Sequence, residues 1–192
     1  MSRIKSLLVL VALLAAPGLA LAAGGKAEPP KWSYIEAGYI DFNPDDGADD
    51  NGSYIGGSIK LFKNFHIVAE YDDVGDYTFW NGGFGWHGLF GDKADLYAQA
   101  VWANIDVNEG DISEDGYQLQ GGVRWKLIRW FELKLQANYS DYGGDIGSDT
   151  TGEVGALFVF FKDRMGVGAD WAGGGDADTT RAFLRFNFGR NK

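Results

Sequence analysis

The stretch FELKLQANYSDY, residues 131–142, constrains this chain more than any other. Every second residue, Phe131, Leu133, Leu135, Ala137 and Tyr139, is apolar or aromatic, and those between, Glu132, Lys134, Gln136, Asn138 and Ser140, are charged or polar. A period of two puts successive side chains on opposite faces of a β-strand. The same alternation runs through YQLQGGVRWKLI (117–128), YIGGSIKLF (54–62), FHIVAEYDD (65–73) and RAFLRFNF (181–188). It predicts about ten strands, over 32–42, 53–62, 65–73, 77–90, 94–105, 116–128, 131–142, 151–162, 165–172 and 180–188, with eight as the alternative count. Most are about 9–13 residues long, above the usual ~5–6 and near the ~9–11 that a tilted strand needs to cross a bilayer.

The connections sort by charge. The turns Lys63-Asn64, Gly91-Asp92-Lys93, Arg129-Trp130 and Asp163-Arg164 are short, and basic residues stand in them. The alternate connections, NPDDGADDNG, DVGD, DVNEGDISED, GGDIGSD and GGGDADT, read as longer, and they contain no Lys or Arg. Short turns at one end and longer loops at the other are the rhythm of a bacterial transmembrane barrel. An even strand number puts both termini on the short-turn side.

The chain begins MSRIKSLLVLVALLAAPGLALA: two bases, an apolar run too short to span, and small residues at Ala20 and Ala22. That is the pattern of a secretory signal peptide over residues 1–22. Residues 23–31, with Pro29 and Pro30, read as a flexible lead-in, 32–188 as the barrel and 189–192 as a short tail. Loss of Arg3 and Lys5 leaves 27 acidic side chains against 15 of the 17 basic ones, a net of −12. Such a charge excludes a nucleic-acid partner, which needs a basic footprint. The absence of Cys excludes disulfides, thiolate metal sites and a lipid anchor on Cys.

Together these features predict an all-β fold, a single closed antiparallel up-and-down transmembrane β-barrel. Its apolar faces look outward to lipid and its polar faces line the lumen, because in hydrocarbon only an edgeless barrel pairs every backbone group. Aromatic girdles are expected at Tyr39, Tyr71, Trp102, Tyr139 and Trp171 near one rim, and at Phe62, Phe65, Trp86, Trp125 and Phe131 near the other.

The whole mature chain resembles the small outer-membrane β-barrels of Gram-negative bacteria, the OmpA/OmpX-like group. The signal peptide, the hairpin rhythm and the ending RAFLRFNF carry the resemblance. It departs at Phe183, where the group's C-terminal signal often has Gly, and in continuing past Phe188. The resemblance implies an outer-membrane location, recognition by the barrel-assembly machinery, and contact with outer-membrane lipid and lipopolysaccharide.

The expected lumen carries Glu36, Lys60, Glu70, Arg124, Lys126, Glu132, Lys134, Glu153, Asp170, Arg181 and Arg185, five acids and six bases. Mixed signs on neighbouring strands fit a buried ion-paired network filling a narrow barrel, since unpaired buried charge is expensive. The same groups lining an ion path are the alternative. His66 and His87, the only histidines, are expected to face inward close together, as ordinary lumen side chains rather than a metal site. The acidic loops lack calcium-loop spacing and read as a solvated surface, with loose divalent-cation binding as the alternative. No serine sits in a nucleophile elbow and no His lies near an acidic loop, so no catalysis and no cofactor are expected. The expected role is structural, in envelope integrity or surface interaction. A narrow porin-like channel is the alternative, and a soluble periplasmic lipocalin-like barrel a third, less favoured reading.

Overall fold

The computed structural model describes residues 28–45, 48–107, 112–144 and 147–189. The expected signal peptide and the final three residues lie outside these. Ten strands follow one another: β1 (Tyr34–Pro44), β2 (Asp50–Lys60), β3 (Phe65–Val74), β4 (Tyr77–Phe90), β5 (Ala94–Val107), β6 (Ile112–Ile128), β7 (Phe131–Asp141), β8 (Ser148–Phe160), β9 (Met165–Gly173) and β10 (Ala177–Asn187). Each pairs antiparallel with its sequence neighbour, and β1 pairs with β10 from Tyr34↔Asn187 to Pro44↔Ala177, closing the barrel. Among the described residues no strand edge is left unpaired, so the ladder satisfies its own backbone groups without solvent.

The alternation sets which way each side chain points. In β7, Leu135 and Tyr139 are exposed, whereas Glu132 is buried and Lys134 half-buried. Its neighbours agree: Trp125, on β6, is 49% exposed and Leu119 50%, while Arg124 is 3% and Lys126 2%. Long apolar side chains cover the outside and ionised ones are enclosed, the inverse of a soluble protein. A lipocalin-like arrangement, with the apolar faces inside, is overturned by this orientation.

Two expectations need correction. The acidic connections are hardly longer than the basic ones. They span 45–49, 75–76, 108–111, 142–147 and 174–176, against 61–64, 91–93, 129–130 and 161–164. Strands β2, β6, β8 and β10 begin inside the acidic runs, so carboxylates that read as loop stand on ladder positions instead. Charge, not length, distinguishes the two rims. Within the expected girdles, Phe131 is 5% exposed, with Phe158 at a ring distance of 4.9 Å and Trp130 at 6.3 Å. Tyr39, Tyr71, Trp102, Tyr139, Phe62, Phe65, Trp86 and Trp125 are exposed.

The inward face is not wholly polar. Ile40, Tyr54, Val74, Leu157, Val159 and Phe183 form a buried apolar cluster, with Phe42 against it. The turn joining β8 to β9 holds three consecutive residues at positive φ, Phe161 (49°), Lys162 (57°) and Asp163 (62°). Left-handed backbone costs an L-residue about 1–2 kcal/mol. Here it places the Asp163 carboxylate 2.6 Å from Lys126 Nζ and lets the Asp163 carbonyl accept from Asn187 Nδ2 at 2.9 Å.

Candidate functional site: a lumen closed at one end

A residue two positions before β1 does most to shape the lumen. Trp32 has the parity of Tyr34 and Glu36, which face inward, and its indole turns into the barrel, where it is 4% exposed. Its ring stacks on His66 at 4.5 Å and on His87 at 4.6 Å, and meets Tyr97 edge-on at 5.3 Å. The Arg124 guanidinium lies 4.6 Å from the ring centroid, within cation–π range. The indole Nε1–H donates to Asp95 Oδ2 at 2.6 Å. The backbone is held as well: Arg124 Nη1 donates to the Lys31 carbonyl at 2.9 Å and Ser58 Oγ to the Trp32 carbonyl at 2.9 Å. Pro30 is buried. The end of the expected lead-in is therefore docked in the barrel, and Trp32 forms a floor at the basic-turn rim.

His66 and His87 both face inward, with Nδ1 atoms 3.1 Å apart, and His66 Nε2 is 2.9 Å from Gln99 Nε2. Among the described residues no group of three or more His, Cys, Asp or Glu side chains could hold a metal ion. The pair instead forms a platform for the indole.

Nine of the eleven expected lumen residues lie in three clusters, and Lys126 forms a separate pair. Beside the floor, Arg124 Nη2 is 2.6 Å from Glu132, and Arg185 Nη2 is 2.5 Å from Glu36, with Arg185 also 3.9 Å from Glu132. Lys126 pairs with Asp163 at the rim. Higher up, Lys134 pairs with Glu153 and stands 3.9 Å from Asp170. Highest, Arg181 Nη2 is 2.9 Å from Glu70 and 2.7 Å from Asp72. Lys60 stands half-buried at the basic rim, where its backbone N–H donates to Ser33 Oγ at 3.1 Å.

Sequence reasoning missed Trp32, Asp72, Asp95 and Asp163. The parity of Trp32 and Asp72 would have placed both inward. Asp163 had no such signal, because its position depends on the left-handed turn.

Above the floor the lumen holds a cavity of about 330 Å³. One wall is hydrogen-bonded amides and hydroxyls: Tyr97 OH donates to Gln136 Oε1 at 2.5 Å, Gln136 Nε2 to Glu153 at 3.1 Å, Asn138 Nδ2 to Thr151 at 3.2 Å and Gln118 Nε2 to Tyr142 OH at 2.8 Å. The facing wall includes Ile40, Phe42, Val68 and Phe79. Asp149 and Asp176 line it near the acidic rim.

No protein-family model matches the sequence, and no curated protein matches it. Solved structures do share its shape. An outer membrane channel from Pseudomonas putida F1 is similar at TM-score 0.51 and 10% identity, over 88% of this chain and all (100%) of that one. KdgM porin is similar at 0.49 and 10%, over 81% and 99%, and OprG from Pseudomonas aeruginosa at 0.44 and 10%, over 87% and 100%. At this identity the first likeness establishes the barrel fold alone, and the other two add no argument. The shared architecture is that of outer-membrane barrels.

Proposed function

We propose that this chain is an integral outer-membrane β-barrel of a Gram-negative envelope, in the manner of the OmpA/OmpX-like group. It serves envelope architecture or surface interaction and is not an enzyme. Residues 1–22 are removed on export, the basic turns face the periplasm, and the acidic rim faces outward toward lipopolysaccharide. Divalent cations bridge the acidic loops to that anionic surface, and the barrel-assembly machinery inserts the chain. The observation that carries the reading is the Trp32 floor with the ion pairs around it. Each base of these pairs has a carboxylate within 4 Å, so the end of the lumen around Trp32 is closed by packed, ion-paired side chains. Purified protein in planar bilayers tests it: the closed barrel gives no stepwise current, and discrete steps of reproducible conductance overturn the closed reading.

The cavity above the floor favours one second reading, a narrow channel. It already extends from the acidic rim down to Trp32, so one displaced segment would connect the two ends. In that case currents appear in the unmodified protein.

A further inference from the structure

The ion pairs match one to one at the floor and not above it. Beside Trp32, two bases, Arg124 and Arg185, meet two acids, Glu132 and Glu36, while the third acid there, Asp95, accepts from the indole. In the upper lumen, Arg181 alone serves both Glu70 and Asp72, and Lys134 alone serves both Glu153 and Asp170. Each upper group thus has one carboxylate more than it has bases, and both line the cavity. An uncompensated buried carboxylate is costly, and a cation beside it relieves that cost.

Asp72 is one carboxylate of this excess with an unpartnered oxygen. It is 5% exposed, its Oδ2 accepts from Arg181, and its Oδ1 has no hydrogen-bond partner among the described residues. Asp72 stands opposite Phe79 in the β3–β4 register. Opposed residues on one face bring their Cβ atoms within about 4.5–5.5 Å. Phe79 is part of a half-buried aromatic shelf, 5.8 Å from the Phe42 ring and 6.1 Å from Tyr77, with Tyr77 and Phe42 5.4 Å apart. An unpartnered buried carboxylate oxygen on a residue whose cross-strand neighbour is an aromatic ring is the chemistry that holds an ammonium group and the apolar body attached to it. A bare metal ion fits less well, since no set of three ligating side chains converges among the described residues. The acidic rim, free of Lys and Arg, raises the local concentration of cations at the entrance.

We propose that the upper lumen is a binding cup for a small organic cation. Its ammonium is held by Asp72 Oδ1 with Glu70 nearby, and its apolar body lies against Phe79 and Phe42. The cup goes beyond the envelope role and stands whether or not the barrel conducts, so a conductance result leaves it untouched.

Benzylamine and its neutral counterpart benzyl alcohol are the probes, titrated calorimetrically into the full-length barrel, refolded in detergent, at neutral pH. Benzylamine binds saturably and benzyl alcohol at least about tenfold more weakly, the loss of one charge-assisted hydrogen bond. Asp72→Asn weakens benzylamine by about tenfold or more, Phe79→Leu weakens it severalfold, and Asp73→Asn, one residue away on the outer face, leaves it unchanged. Should Asp72→Asn fail to fold, as read from its gel migration before and after boiling, the alcohol comparison and Phe79→Leu decide the matter. Equal binding of amine and alcohol overturns the proposal. So does wild-type affinity in a folded Asp72→Asn barrel, displacement of benzylamine by calcium at lower concentration than benzylamine itself needs, or no saturation through the millimolar range.

Discussion

Trp32→Ala removes the floor of the lumen without touching a strand. Truncating a buried Trp costs about 3–5 kcal/mol from lost transfer and the cavity left behind. The structure places this substitution at the upper end. Asp95 is 3% exposed and its Oδ1 already lacks a partner among the described residues, so losing the indole N–H leaves neither oxygen hydrogen-bonded, worth about 1–3 kcal/mol. His66 and His87 lose the ring on which both stack. Trp32→Phe separates the terms: an aromatic ring remains on the histidines, and only the hydrogen bond to Asp95 goes, at about 1–3 kcal/mol. Denaturant unfolding in lipid vesicles, followed by the gel shift between folded and boiled forms, measures both. Planar bilayers measure the second consequence, since Trp32→Ala joins the cavity to the mouth at the basic-turn rim and currents appear that the parent lacks. An alanine variant as stable as the parent and equally silent would refute the claim that this residue closes the lumen.

Other outcomes follow from named contacts. Leu135→Arg, on the outer face, reduces membrane assembly and costs about 2–4 kcal/mol, whereas Gln136→Arg, inside the lumen beside Glu153, is milder; folded yield in vesicles compares them. Arg124→Met leaves Glu132 with only the more distant Arg185 and frees the Lys31 carbonyl, destabilising the barrel by about 3–5 kcal/mol in the same unfolding assay. Lys162→Gly raises stability by up to about 1 kcal/mol, because φ of +57° strains Lys and not Gly, less the chain entropy that Gly adds to the unfolded state. Gly85→Ala lowers it by about 1–3 kcal/mol, since a Cβ there would lie 2.2 Å from His66 Nε2 and force the histidine platform to shift.

The barrel itself was legible because a period of two leaves little freedom. Once Leu133, Leu135 and Trp125 share a face, Lys134 and Arg124 must share the other, and closure follows from the need to pair every edge. The ion-pair partners were partly legible: Arg124 beside Glu132 could be read from the hairpin register, whereas Arg181 beside Glu70 joins β10 to β3 across the lumen, which no local pattern encodes. Asp72 stood on the polar face of the predicted strand 65–73, but the acids that follow it made it read as part of the acidic rim rather than of the lumen network. The ladder extends through it because β3 and β4 need only Gly75-Asp76 to turn. Trp32 was the largest omission. Two prolines before it suggested an unstructured lead-in, yet its parity matched the inward residues that follow. A bulky side chain ahead of a strand can complete a mouth that the strands leave open.

Side-chain orientation in lipid is the measurement on which all of this depends, and the chain's lack of Cys allows it without background labelling. Leu135→Cys and Gln136→Cys, each carrying a nitroxide in the liposome-inserted protein, are compared for collision with oxygen, which concentrates among acyl chains, and with a water-soluble nickel chelate. The label at 135 should collide strongly with oxygen and weakly with nickel, and the label at 136 should be shielded from lipid. The opposite order at the two positions, or equal nickel access at both, would contradict a barrel that faces lipid with its apolar side.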